Sequence, residues 1–112
     1  EYALGVSINK NMLFINFLTD ISPQCDCYGH SDLSIVPDIG ILASTDPVAI
    51  DQASADLVNS QQGTANSALM KNHKPDKDKF RGLYPSVDWE VQLEYAEQLH
   101  IGTRRYRLIR VS

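Results

Sequence analysis

Apolar residues run almost unbroken through Met12-Leu13-Phe14-Ile15-Asn16-Phe17-Leu18, give way to an irregular polar stretch, and return at Ile39-Gly40-Ile41-Leu42-Ala43. The first run is too short and too aromatic for a typical helix and predicts a strand buried on both faces. Asn16 interrupts it, and a buried amide needs hydrogen-bond partners. The second run predicts a short buried strand, in which Gly40 allows a close approach to the backbone. Ser44-Thr45-Asp46-Pro47 then marks a helix start. Asp46 suits the N-cap and Pro47 the first helical position, where no amide donor is wasted. Ile50, Ala53 and Leu57 form one apolar stripe with Ala49 beside it, Asp51 and Asp56 fall outside it, and the helix ends near Asn59-Ser60.

The remaining pattern is weaker. Residues 1–6 combine helix formers with Gly5 and predict the last turn of a helix that begins upstream; a strand paired through Asn9-Lys10-Asn11 is the alternative. Residues 64–72 predict a short helix carrying Leu69 and Met70, stopped by Pro75. Residues 71–81 alternate in charge without periodicity, as a solvated loop does. Ser86 or Asp88 caps a further helix whose inner side holds Trp89, Leu93, Ala96 and Leu99 or His100, with Gly102 as its C-terminal cap. Residues 106–111 predict a closing strand whose arginines suit an exposed edge. The sum is an α/β fold: a small mixed sheet, two or three packed helices and a long cysteine-containing loop over residues 19–37.

Composition narrows the classes. At 112 residues, 43% hydrophobic and 21% charged, the chain has material for one core and one domain spanning 1–112. No apolar run reaches the ~20 residues of a membrane span and no signal peptide opens the chain, which predicts a cytoplasmic protein without a membrane partner. The absence of Met at position 1 fits a piece of a longer domain. The net charge of −4 is divided unevenly: residues 1–66 hold eight carboxylates against Lys10 alone, net −7, while residues 67–112 carry +3. The acidic part favours cations, and the basic part is too interrupted by acids for nucleic acid.

The candidate chemistry is Cys25-x-Cys27-x-x-His30-x-Asp32. Two thiols, an imidazole and a carboxylate are donors that zinc and iron accept. A disulfide between Cys25 and Cys27 would close too small a ring to constrain the fold, so reduced thiols are expected. Zinc sites usually space cysteines by two to four residues and add a second pair, and iron–sulfur clusters usually take four cysteines; this chain has two. A catalytic thiol with His30 as base is a further alternative, without a glycine-rich elbow to support it. His73 and His100 read as structural. Asp46 reads mostly as a cap and Asp51 as a solvated flank residue. Tyr28 reads as an anchor of the loop.

The segment Cys25-Asp26-Cys27, the run from Asp38-Ile39-Gly40 to Asp46-Pro47-Val48-Ala49-Ile50-Asp51, Phe14-Ile15-Asn16-Phe17, and Trp89-Glu90 with Glu94-Tyr95-Ala96 together resemble the C-terminal part of the domain of unknown function numbered 362. The resemblance covers nearly the whole chain. Members are mostly bacterial and archaeal, and many carry ferredoxin-type four-iron modules, so it implies an iron–sulfur association, with an iron–sulfur cluster or zinc as cofactor. It implies as partner the missing N-terminal part of the domain or a ferredoxin-type module. It carries Cys25 and Cys27 across as metal ligands and Asp46 and Asp51 as cofactor-binding positions; His30 and Asp32 rest on donor chemistry alone. The chain departs from the family in lacking the N-terminal part and any ferredoxin cysteine pattern. Two functions follow as expectations: a redox-associated, metal- or iron–sulfur-linked domain, or a noncatalytic binding or scaffold module whose thiols are incidental.

Overall fold

Two short strands pair by their alternation. β1, Phe14–Leu18, lies antiparallel to β2, Gly40–Ser44, with Asn16 opposite Leu42 and Phe17 opposite Ile41. This architecture comes from a computed structural model, which describes residues 11–24 and 33–111 together with Gly5; the expected helix or strand over residues 1–6 otherwise lies outside the described residues. β1 is not buried on both faces as its composition predicts. Among the described residues a single helical layer covers the sheet, and Ile15 and Phe17 point outward at 51% and 66% exposure, beside Ile41 at 63%. At Gly40 the φ of +148° is one that glycine alone adopts without strain.

α1, Pro47–Asn59, is the hub, packing on both strands and on the two later helices. Asp46 caps it and Pro47 opens it, as expected. Its inner side buries Ile50, Ala53 and Val58, while Asp51 and Asp56 are exposed. Asn16 finds its partners here: its Nδ2 donates to Asp51 Oδ1 and to Ser54 Oγ, each at 3.0 Å. Because a one-residue slip would turn Asn16 to the other face, this pair of bonds fixes the register of β1 on α1.

The core lies beside the sheet. Ile35, Val36, Val58 and Leu69 form its buried centre, with Ile21, Ile39, Phe80 and Leu83 packed around it. Residues 64–72 bury Leu69 without forming the expected helix. Asn66 and Asn72 take φ values of 62° and 63°, which stop helical continuation, and Ser67 Oγ closes the turn onto the carbonyl of Thr64 at 2.7 Å. Met70 is left in solvent.

The solvated loop expected over residues 71–81 is corrected at its end, where α2, Lys79–Leu83, begins and Lys79 is fully buried. Its Nζ donates to the carbonyls of Asn59, Lys74 and Lys77 at 3.0, 2.8 and 2.9 Å. All three ammonium hydrogens are thereby used, which is what permits a lysine in a core. Burial pulls its pKa below the ordinary lysine value, against the opposing charges of Asp76 and Asp78. The charge pattern concealed this because periodicity cannot show a side chain that folds back on its own loop.

α3, Glu90–Gln98, buries Leu93 and starts just after Asp88, whose Oδ1 accepts the Glu90 amide at 3.1 Å. His100, at a φ of 60°, takes the left-handed position expected of Gly102. Residues 106–111 form no strand among the described residues. Side chains hold the tail instead: Arg104 Nε donates to Gln52 Oε1 at 2.7 Å and its Nη2 to Glu90 Oε1 at 2.8 Å, and Tyr106 Oη donates to Asp56 Oδ2 at 2.7 Å. The fold is a small α/β arrangement of one two-stranded antiparallel sheet and three helices among the described residues. None of these helices is long and apolar enough to cross a membrane.

Two outcomes are expected. Lys79→Met removes three charge-assisted hydrogen bonds, leaves the Lys77 carbonyl without a donor while those of Asn59 and Lys74 keep the amides of Asp76 and Lys77, and lowers stability by about 3 kcal/mol, measured as a reduced urea midpoint. Tyr106 is pushed up to about 12 by burial first and then by its hydrogen bond to, and the charge of, Asp56. Its folded pKa exceeds its unfolded one, so its contribution is complete below about pH 10 and is lost as pH rises toward 12. Subtracting the tyrosinate titration of Tyr106→Phe from that of the wild type isolates this group; ionisation near pH 10 in the difference contradicts the assignment.

Candidate functional site

The residues that carry the chemical expectation, Cys25, Cys27, His30 and Asp32, lie outside the described residues, as does Tyr28. The residues that flank them in sequence, 18–24 and 33–39, are described, and they are tied together. Ile35 donates its amide to the carbonyl of Ile21 at 2.9 Å, and Ile39 donates to Leu18 at 2.8 Å. Asp38 Oδ1 accepts the Asp20 amide at 2.9 Å, which supports Asp20 at its left-handed φ of 49°. On the outgoing side Ser22 Oγ donates to the carbonyl of Gln24, and Tyr84 Oη reaches from beyond α2 to the carbonyl of Pro23 at 2.8 Å. On the returning side Ile35 and Val36 enter the core, and the Ile35 carbonyl accepts the Thr64 amide at 2.6 Å. The residues on either side of the polar segment, 18–24 and 33–39, are thus tied to one another and to the core. Among the described residues no group of three or more His, Cys, Asp or Glu could hold a metal ion.

Asp46 and Asp51 are described and sit in different surroundings. Asp46 spends both oxygens on backbone amides: Oδ1 accepts from Val48 and Ala49 at 2.9 and 3.0 Å, and Oδ2 accepts from Thr103 at 3.0 Å. Gly102 lies directly against this carboxylate, where a Cβ would collide with it. Asp46 therefore joins the start of α1 to the turn after α3. Asp51 is exposed and accepts only the Asn16 amide among the described residues. Five positions along a helix turn through roughly 140°, so the two carboxylates do not share a face.

Asp51 instead borders a cleft of about 330 Å³ between α1, α3 and the end of β1. Ser54, Ala55 and Val58 continue its α1 wall, a stripe at helical spacing. Phe80 and Trp89 form the aromatic wall, with ring centroids 5.4 Å apart, and Trp89 Nε1 donates to Asp78 Oδ2 at 2.9 Å, which holds the indole in place. Ile21, whose carbonyl accepts the Ile35 amide, lines the same cleft. Sequence reasoning finds Asp51 and Trp89 separately but misses the cleft, because it arises between elements nearly forty positions apart. The small residues Ser54 and Ala55 beside Asp51 were its one local signal.

Asp46→Ala removes a cap and a tie to residue 103 and is expected to cost about 2 kcal/mol. Asp51→Ala is expected to cost under about 1 kcal/mol, since Ser54 still accepts from Asn16. Urea midpoints of the two variants check this order; the reverse order contradicts the capping role.

Residues 1–56 match the model of the family described as Domain of unknown function (DUF362). The match takes in β1, the cysteine segment, β2 and most of α1, and leaves the Trp89 to Ala96 part of the resemblance outside it. No curated protein and no solved structure matches the chain.

Proposed function

The chain belongs to the DUF362 family, and from that premise we propose that it is a redox-associated, metal- or iron–sulfur-linked domain in which residues 25–32 supply ligands. The observation that supports this is the bonding between the two flanks of that segment. A ligand loop must present its donors from a fixed base, and Ile21, Pro23, Ile35 and Asp38, which flank the cysteines in sequence, are each held by a hydrogen bond. Cys25, Cys27, His30 and Asp32 would hold the metal, and this donor set fits one four-coordinate zinc or iron ion. A bound ion of this kind supplies cross-linking of the loop or, for iron, electron transfer. Two cysteines do not fit a four-iron cluster by themselves, so a cluster would take its remaining ligands from a ferredoxin-type module or from the N-terminal part of the domain. Those are the partners of this reading, with neither nucleic acid nor membrane among them. Asp46 stands in it as structural support, and Asp51 as the carboxylate nearest in role to a cofactor contact.

One observation favours the second reading, a noncatalytic binding or scaffold module with incidental thiols. The outer sheet face sets Leu13, Ile15, Phe17 and Ile41 in solvent without a charge among them, and exposed apolar surface of this kind marks interaction sites.

Metal content separates the two. Protein purified without oxygen is expected to carry about one equivalent of zinc or iron, lost in the Cys25→Ser, Cys27→Ser double variant while its far-UV circular dichroism is unchanged. Equal metal content in the two proteins overturns the ligand role and leaves the scaffold reading.

A further inference from the structure

The cleft between α1 and α3 has the make-up of a small-ligand site. Its volume of about 330 Å³ falls within the range of pockets that hold small molecules. Its walls are apolar and aromatic, and its aromatic wall is already fixed: the Trp89 indole is hydrogen-bonded to Asp78 and packs against Phe80 with the ring planes tilted by 42°. A ligand would find these rings in place and would not have to order them.

The polar groups decide what kind of molecule fits. Among the described residues Asp51 is the only charged side chain lining the cleft; Ser54 and Gln92 are neutral. Asn16 donates to Oδ1 of Asp51, which orients the carboxylate, and no cation pairs with it among the described residues. An anion would meet this carboxylate unfavourably, and a neutral ligand would leave it unused. A cation is favoured by Asp51 and by the net charge of −7 over residues 1–66.

We infer that the cleft binds a small organic cation with an aromatic or apolar body, of the arylalkylamine class, its ring against Phe80, Trp89 and Leu93 and its ammonium at Asp51. Trp89 is the single tryptophan of the chain, so its emission reports occupancy directly.

The test uses phenethylamine as probe, with 2-phenylethanol as the neutral counterpart and phenylacetate as the anionic one. Phenethylamine is expected to change Trp89 emission saturably. The alcohol is expected to bind about fivefold more weakly, and phenylacetate more weakly again. Asp51→Asn brings the amine down to the affinity of the alcohol and leaves the alcohol unchanged. Ala55→Phe, placed to fill the cleft, removes the response to all three; where it does not fold, Asp51→Asn decides alone. The Cys25→Ser, Cys27→Ser variant keeps the amine response, so this site stands or falls apart from the metal reading. A folded Asp51→Asn protein that binds phenethylamine like the wild type, or equal wild-type binding of amine and phenylacetate, overturns the cation assignment. An emission spectrum that phenethylamine leaves unchanged up to its solubility limit overturns the site.

Discussion

Ile35 and Val36 belong to no helix or strand, yet they form the centre of the core. Buried irregular backbone is costly because its amides and carbonyls lack the regular partners of a sheet or helix. Here each backbone polar group of Ile35 is answered from a distance, its amide by Ile21 and its carbonyl by Thr64. The domain is built to make that burial possible. β1 ends at Leu18 so that Ile21 can meet Ile35, and residues 60–73 wrap back so that Thr64 can.

The same constraint recurs through the second half of the chain. Gly63 bonds to His73, and Asp76 to Asn59, neither within a regular element. Lys79 extends the pattern by serving three carbonyls with one ammonium, in the manner of a bound cation supplied by the sequence itself. α1 runs through the middle of these connections, and its two ends are fastened differently. Asp46 holds its start to the turn at Thr103, and Asn59 at its end accepts the Lys79 amide at 2.8 Å. Glu90, shared between Arg81 and Arg104, binds the tail to α3 at the surface, where salt screening acts and the core bonds are spared.

What the sequence made legible follows this division. Asp46-Pro47 announced α1 because a cap and a proline act locally, and Asn16 announced a partnered polar site because an amide in an apolar run has few other options. The family showed in the segment from Asp38 to Asp51. The outward face of β1 was hidden, since an apolar run looks alike whether one layer or two cover it. The helix expected at 64–72 and the strand expected at 106–111 fitted local propensity, but Asn66 and Asn72 turn the first and side-chain anchors hold the second. Of the candidate site, Asp46 is legible as a cap and Asp51 only as a solvated flank. Its place beside Trp89 is a tertiary fact that spacing along one helix cannot encode.

Lys79 has a consequence for how the domain meets amine-directed chemistry. Lys71, Lys74 and Lys77 stand in solvent and are open to acylation at once, whereas the Lys79 amine is reached only after α2 has left its seat and the three carbonyls have let go. Its labelling rate is therefore a clock for local opening of the loop over residues 74–79. Once acylated, the side chain has lost its charge and two of its three hydrogens and carries added bulk, so it cannot serve the three carbonyls again and a transient opening would become a permanent one.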